Sequence, residues 1–166
     1  MHPKPIEFSI MENDINDVLK ILYSIPEKYI TINGPATEDS IRSFESKWNV
    51  TLPSEYKHLI KQCNGINLMG SEILGLPIKD ARYFSIDDAY QFEHFEVCNP
   101  MPLHLIPFSP DGGGNHYCFD TRDNNIVFWD SEYDYTNDTP EVVYNTLAEM
   151  IREVFLDWTL EDIDLL

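Results

Sequence analysis

The spacing of apolar residues changes along the chain, and that change constrains the fold more than any other feature of its 166 residues. Ile15, Val18, Leu19 and Leu22 recur at i, i+3, i+4 and i+7, which predicts a helix over 13–23, with Pro26 just beyond it. Thr37 is a good N-cap, Glu38 and Asp39 suit a first turn, and Ile41, Phe44 and Trp48 give a second helical stripe over 38–47. Pro53 stands where the first residue of a third helix is expected, since its missing N–H would be unpaired there anyway. Tyr56, Leu59, Ile60 and Cys63 line that helix, and Asn64-Gly65 closes it.

The period then shortens. Residues 66–69 and 72–76 read as short strands. Ser85 with Asp88 three residues on has the pattern of a capping box, opening a short helix through Phe92. Pro100, Pro102, Pro107 and Pro110 punctuate the next stretch, leaving 103–108 as a strand. Two more strands, 115–120 and 126–130, lie between turns at 111–114 and 122–125. Helical spacing returns after an acidic loop at 131–138. Thr139 and Pro140 look like a helix start, and Val143, Leu147, Met150, Ile151, Val154, Phe155 and Trp158 form its stripe. This order predicts an α+β fold with a mainly antiparallel sheet, N-terminal helices and a long C-terminal helix. The length suits one domain over 1–166.

Charge narrows the partners. The formal net charge is −18, and thirteen acids against two bases after Phe119 supply −11 of it. Phosphate backbones and anionic membrane surfaces are held by Lys and Arg, so neither is an expected partner. A basic protein is. Three cysteines with no CxxC pair fit a reducing cytoplasm. The N-terminal residues lack the apolar core of an export leader, and no apolar run approaches the roughly 20 residues of a membrane span.

The run from Ile41 to Gly65 resembles the signature of the SUKH superfamily, the Smi/Knr-like domain. It carries an aromatic-Glu pair (Phe44-Glu45), then Trp48, Leu52-Pro53, an acidic-Tyr pair (Glu55-Tyr56) and Asn64-Gly65. The stretches IPFSPDGGGNHYCFD and IVFWD are similar to the family's second and third blocks. The resemblance covers about 35–130, which suggests a family-like core of about 35–160 and an N-terminal helical extension over 1–34. Residues 79–101 carry no family signature. The resemblance implies an α+β fold and a binding role. Bacterial members are chiefly immunity proteins of polymorphic toxin and contact-dependent inhibition systems, and eukaryotic relatives regulate cell-wall synthesis through protein contacts. It transfers no catalytic residue.

Enzyme readings find little in the residues. His116, Cys118 and Asp120 share one strand face and His104 could lie nearby, but tight zinc spacings are absent, so no metal or other cofactor is expected. Paired carboxylates need a partly dry site to hold a raised pKa, and the sequence marks none. The run Gly112–Gly114 could cradle an anion, but without the Lys and helix of a P-loop it reads as a hairpin turn. The expected partner surface is instead the acidic, tyrosine-rich loop. Asp130, Glu132, Asp134 and Asp138 are its anchors, with Tyr133 and Tyr135 beside them and Trp129 adjacent. Tyr supplies contact area at low entropic cost.

Overall fold

Ile15, Val18 and Leu22 are wholly buried in the computed structural model, which describes residues 4–164, with side chains from 14 to 162. Burying one such side chain contributes about 1.5–3 kcal/mol. Their helix, α1 (Lys4–Ser24), begins earlier than the stripe predicts. It lies against α3 (Ser54–Ile60) and the start of the C-terminal helix. Between them comes α2 (Glu38–Trp48), capped as expected by the Thr37 side chain, which accepts from Ser40 N–H at 3.1 Å. Pro53 sits one position before its expected place. It is the N-cap of α3, and its carbonyl accepts the first helical bond from Lys57.

The strands form two antiparallel sheets. The first has the order β1 (Ile30–Ile32), β2 (Ile66–Leu68), β3 (Ser71–Ile73). Its β2–β3 turn places Met69 and Gly70 at φ of 50° and 94°, the mirror-image turn that suits strand twist. The second has the order β4 (Leu105–Pro110), β5 (His116–Asp120), β6 (Ile126–Trp129), β7 (Val142–Tyr144). The sheets meet at β3 and β4. Leu74 N–H donates to Phe108 O at 2.8 Å, and the Ser109 hydroxyl donates to Glu72 O at 2.7 Å. The contact stops there because the chain turns at Gly75 to meet Asn64. A Cβ on Gly75 would stand 2.3 Å from the Asn64 carbonyl oxygen.

The second sheet is covered on both faces. Phe108, Phe119 and Ile126 join the main core with α1, α3 and the C-terminal helix. On the other face Leu105, Cys118, Val127 and Trp129 form a smaller cluster with Met101. Above it lies α4 (Ile86–Phe95), opened by a Ser85–Asp88 capping box. A buried pair of Glu93 Oε1 and His116 Nε2 at 3.0 Å ties α4 to β5. Trp48 Nε1 donates to Asp87 at 2.8 Å, so residues 79–101 are docked on the motif region although they carry no motif.

The C-terminal helix differs from expectation twice. Thr139 and Pro140 do not start it, and Val142–Tyr144 is an edge strand. The helix begins at Leu147, with the Thr146 side chain accepting from Glu149 N–H at 3.1 Å. It runs as α5 (Leu147–Met150), a π-helical turn (Ile151–Leu156) and α6 (Asp157–Asp164). The π-helical turn advances the stripe by about one residue. Leu156 and Thr159 therefore point inward, and Trp158, expected in the stripe, is 73% exposed.

Candidate partner-binding site

The family-like motif residues are spent inside the fold. Phe44, Leu52 and Tyr56 are buried, and Trp48 is half-buried against Tyr90 at 4.7 Å between ring centres. Glu45 accepts from Leu52 N–H at 2.7 Å and lies 3.5 Å from the Lys57 ammonium, holding the α2–α3 turn. Glu55 reaches 92 residues along the chain, accepting from Leu147 N–H at 2.6 Å and from Ala148 N–H at 3.1 Å. Burial raises the Glu55 carboxyl above its usual range, partly offset by those two bonds. The Tyr56 hydroxyl donates to Leu74 O at 2.6 Å. Asn64 donates to Leu76 O at 3.0 Å and accepts from Leu76 N–H at 2.7 Å. Gly65 lies beyond α3 at φ 111°, a conformation glycine adopts freely, and its turn leads into β2 rather than ending the helix.

The groups that face outward together lie elsewhere. An open groove of about 490 Å³ sits where the 131–141 loop folds back over the ends of β5, β6 and β7. Tyr117 and Phe128 stand opposite each other in register, with ring centres 5.3 Å apart. Tyr144 joins them from β7, 6.3 Å from Tyr117. Tyr133 and Tyr135 come from the loop, 4.6 Å apart. Asp130, Asp138 and Glu141 also line the groove, and among the described residues no Lys, Arg or His does.

The loop is built by its own polar groups. Ser131 N–H donates to Asn115 Oδ1 at 2.9 Å, and Asn99 Nδ2 donates to the carbonyls of Ser131 and Tyr133. Asp130 N–H donates to the Tyr135 hydroxyl at 2.9 Å, and the Tyr133 hydroxyl donates to Asp138 Oδ2 at 2.7 Å. The Tyr133 bond, with a second from Thr139 N–H, holds Asp138 below the usual carboxylate range. Thr136 does the same for Asp134 through its side chain and its N–H.

Of the expected partner residues, Asp130, Tyr133, Tyr135 and Asp138 therefore meet in one groove. Glu132 and Asp134 are exposed on the same loop but do not line it. Trp129 belongs beneath the surface. It is 2% exposed and stacks under Tyr135 at 4.6 Å. Tyr117, Phe128, Tyr144 and Glu141 are additions that the loop sequence does not announce. Strand alternation could have marked Tyr117 and Phe128, but a helical reading of 142–144 hides Tyr144. A larger hollow of about 850 Å³ between α1 and the end of α3 presents Asp17, Lys20, Tyr23 and Gln62, without charge of one sign.

The other candidate chemistry resolves into structure. Gly113 N–H donates to Asp111 Oδ1, so the glycine turn is held from within. Asp120 is clamped by Arg122 at 2.8 and 3.0 Å. Among the described residues no three His, Cys, Asp or Glu side chains are grouped as a metal site, and no helix is long and apolar enough to cross a membrane.

Residues 38–151, more than half of the chain, match the family model SUKH_6, described as SMI1-KNR4 cell-wall. The chain belongs to the SUKH family. The match spans both the motif region and the groove. The SPbeta prophage-derived uncharacterized protein YokK of Bacillus subtilis (strain 168) is also similar. It is 24% identical over 148 residues, covering 75% of this chain and 76% of that protein. SUKH membership accounts for the α+β fold and is consistent with an immunity-like binding domain.

Proposed function

We propose that this SUKH protein is an immunity protein. It binds a cognate polymorphic or contact-dependent bacterial toxin in the cell that makes both, and it neutralises that toxin. A basic nuclease-type domain is the favoured target, because such domains hold phosphates in cationic clefts. The observation that carries the reading is the one-signed groove, set in the region that holds most of the net charge of −18. Asp130, Glu132, Asp134 and Asp138 supply an acidic field that steers encounter, and the tyrosines supply contact area. The action is binding in the cytoplasm, without catalysis. The word cell-wall in the family's description favours a second reading, a protein-interaction regulator with no toxin partner.

Co-expression with a toxin domain, sought first in the reading frames beside this gene, tests the proposal. The wild-type chain is expected to restore growth. A Glu132→Lys, Asp134→Lys variant should stay folded, because both side chains are exposed, and lose affinity most strongly in low salt. No rescue by the wild type, or unchanged low-salt affinity in the variant, counts against the proposal.

A further inference from the structure

The groove has a chemistry more specific than an acidic face, and that chemistry selects its best occupant. We infer that it is a receptor for a single arginine side chain of the partner, the guanidinium lying against the tyrosine rings and facing the carboxylates. This rests on the binding role proposed above and says what is recognised.

Sign comes first. Asp130, Asp138 and Glu141 line the groove with no cation among the described residues, so a phosphate or a carboxylate ligand would be repelled. An apolar side chain would strip water from carboxylates and leave them unpaired, which is costly. A cation answers both objections. The walls then choose among cations. Tyr117, Phe128 and Tyr144 expose ring surface beside the acids, and aromatic faces attract a cation through their quadrupole. A guanidinium is planar, stacks on rings and is more weakly hydrated than an ammonium. It also keeps donors free at its edge for carboxylates.

The site is prepared in advance. Trp129 supports Tyr135 from below, and Asn115 and Asn99 tether the loop. The Tyr133 hydroxyl donates to Asp138, which orients both side chains and holds that carboxyl below its usual range. Little ordering is left to binding, which raises affinity for a given set of contacts. The volume of about 490 Å³ lies within the roughly 300–1,000 Å³ common for small-ligand clefts.

The test uses the full chain and three blocked tripeptides, Gly-Arg-Gly, Gly-Lys-Gly and Gly-citrulline-Gly. Ring signals of Tyr117, Tyr133 and Tyr144 are followed by NMR. The arginine peptide is expected to give saturable shifts at about millimolar Kd, with the other two at least about tenfold weaker. Glu141→Lys, which places a tethered cation in the groove, should abolish those shifts, and Glu141 is exposed enough for the fold to survive. Absence of saturable shifts, or equal shifts from the lysine or citrulline peptide, overturns the arginine assignment. Growth rescue separates the two proposals. If Glu141→Lys still rescues fully, arginine capture is not the mode of inhibition and the immunity reading stands. If the wild type takes the arginine peptide but never rescues, the immunity reading fails and the receptor stands.

Discussion

The motif region and the groove use the same residue types in opposite ways. Around α3, Glu45, Glu55, Tyr56 and Asn64 direct their polar atoms at backbone N–H and C=O groups of other elements. These bonds join α2 to α3, α3 to the C-terminal helix, and α3 to the segment after β3. In the groove, Asp138 and Tyr133 bond each other, and Asp130 and Glu141 stand at the surface. Asp130 and Asp138 accept backbone bonds only from N–H groups one or two residues on, whereas an acid that spends its lone pairs on backbone donors of another element specifies a fold. An acid beside half-exposed rings is left to specify a partner. The difference predicts that variants of the first region lose stability and variants of the second lose binding.

The largest effect should come from Gly75→Ala. The new methyl would lie 2.3 Å from the Asn64 carbonyl oxygen, which accepts from Asn33 Nδ2, and 2.4 Å from its side-chain oxygen, which accepts from Leu76 N–H, so neither oxygen can move without breaking a bond. A loss of about 3 kcal/mol or more in urea unfolding is expected. A near-neutral result would mean that the Asn64 clasp is not a fixed feature.

Glu55→Gln should be milder and carries a sign. Glutamine offers one acceptor oxygen in place of two, so Leu147 or Ala148 N–H loses its partner at about 1–2 kcal/mol. The folded-state pKa of Glu55 is raised above 4.5, so the fold favours the protonated acid. Its contribution is therefore full below the unfolded-state pKa and falls as pH rises through the folded-state value. The stability difference between wild type and Glu55→Gln should shrink as pH rises from about 4. A difference that grows with pH would show that the two N–H bonds outweigh burial.

The local half of this fold was readable and the long-range half was not. Thr37 and Ser85 cap the helices their patterns announce, because a cap needs only residues three positions away. The apolar stripe puts the start of the C-terminal helix at Thr139, but the structure caps it at Thr146. What favours the later start is Glu55, which meets Leu147 and Ala148 only in the folded chain. Residues 142–144 pair with β6 for the same kind of reason. The π-helical turn leaves no mark in the spacing of apolar residues, so that spacing alone turns Trp158 inward. Half of the groove was legible because Asp130, Tyr133, Tyr135 and Asp138 are close in sequence. Tyr117, Phe128 and Tyr144 join them through strand register.

The smallest effect isolates the groove from the fold. In Tyr133→Phe the ring stays, and the hydroxyl that donates to Asp138 goes. Tyr133 is 45% exposed, so the thermal midpoint should be unchanged within error. Asp138 loses the largest of the influences that hold its carboxyl low, and its titration should move up toward 3.8. Thr139 N–H still bonds the other oxygen, so the return should be incomplete. Carboxyl-carbon NMR of Asp138 measures this directly. Freed from its partner, Asp138 can turn away from the rings, and the arginine peptide should bind more weakly although its formal charge partners are all present. Unaltered peptide affinity would show that charge alone, not the placement of Asp138 by Tyr133, governs the groove.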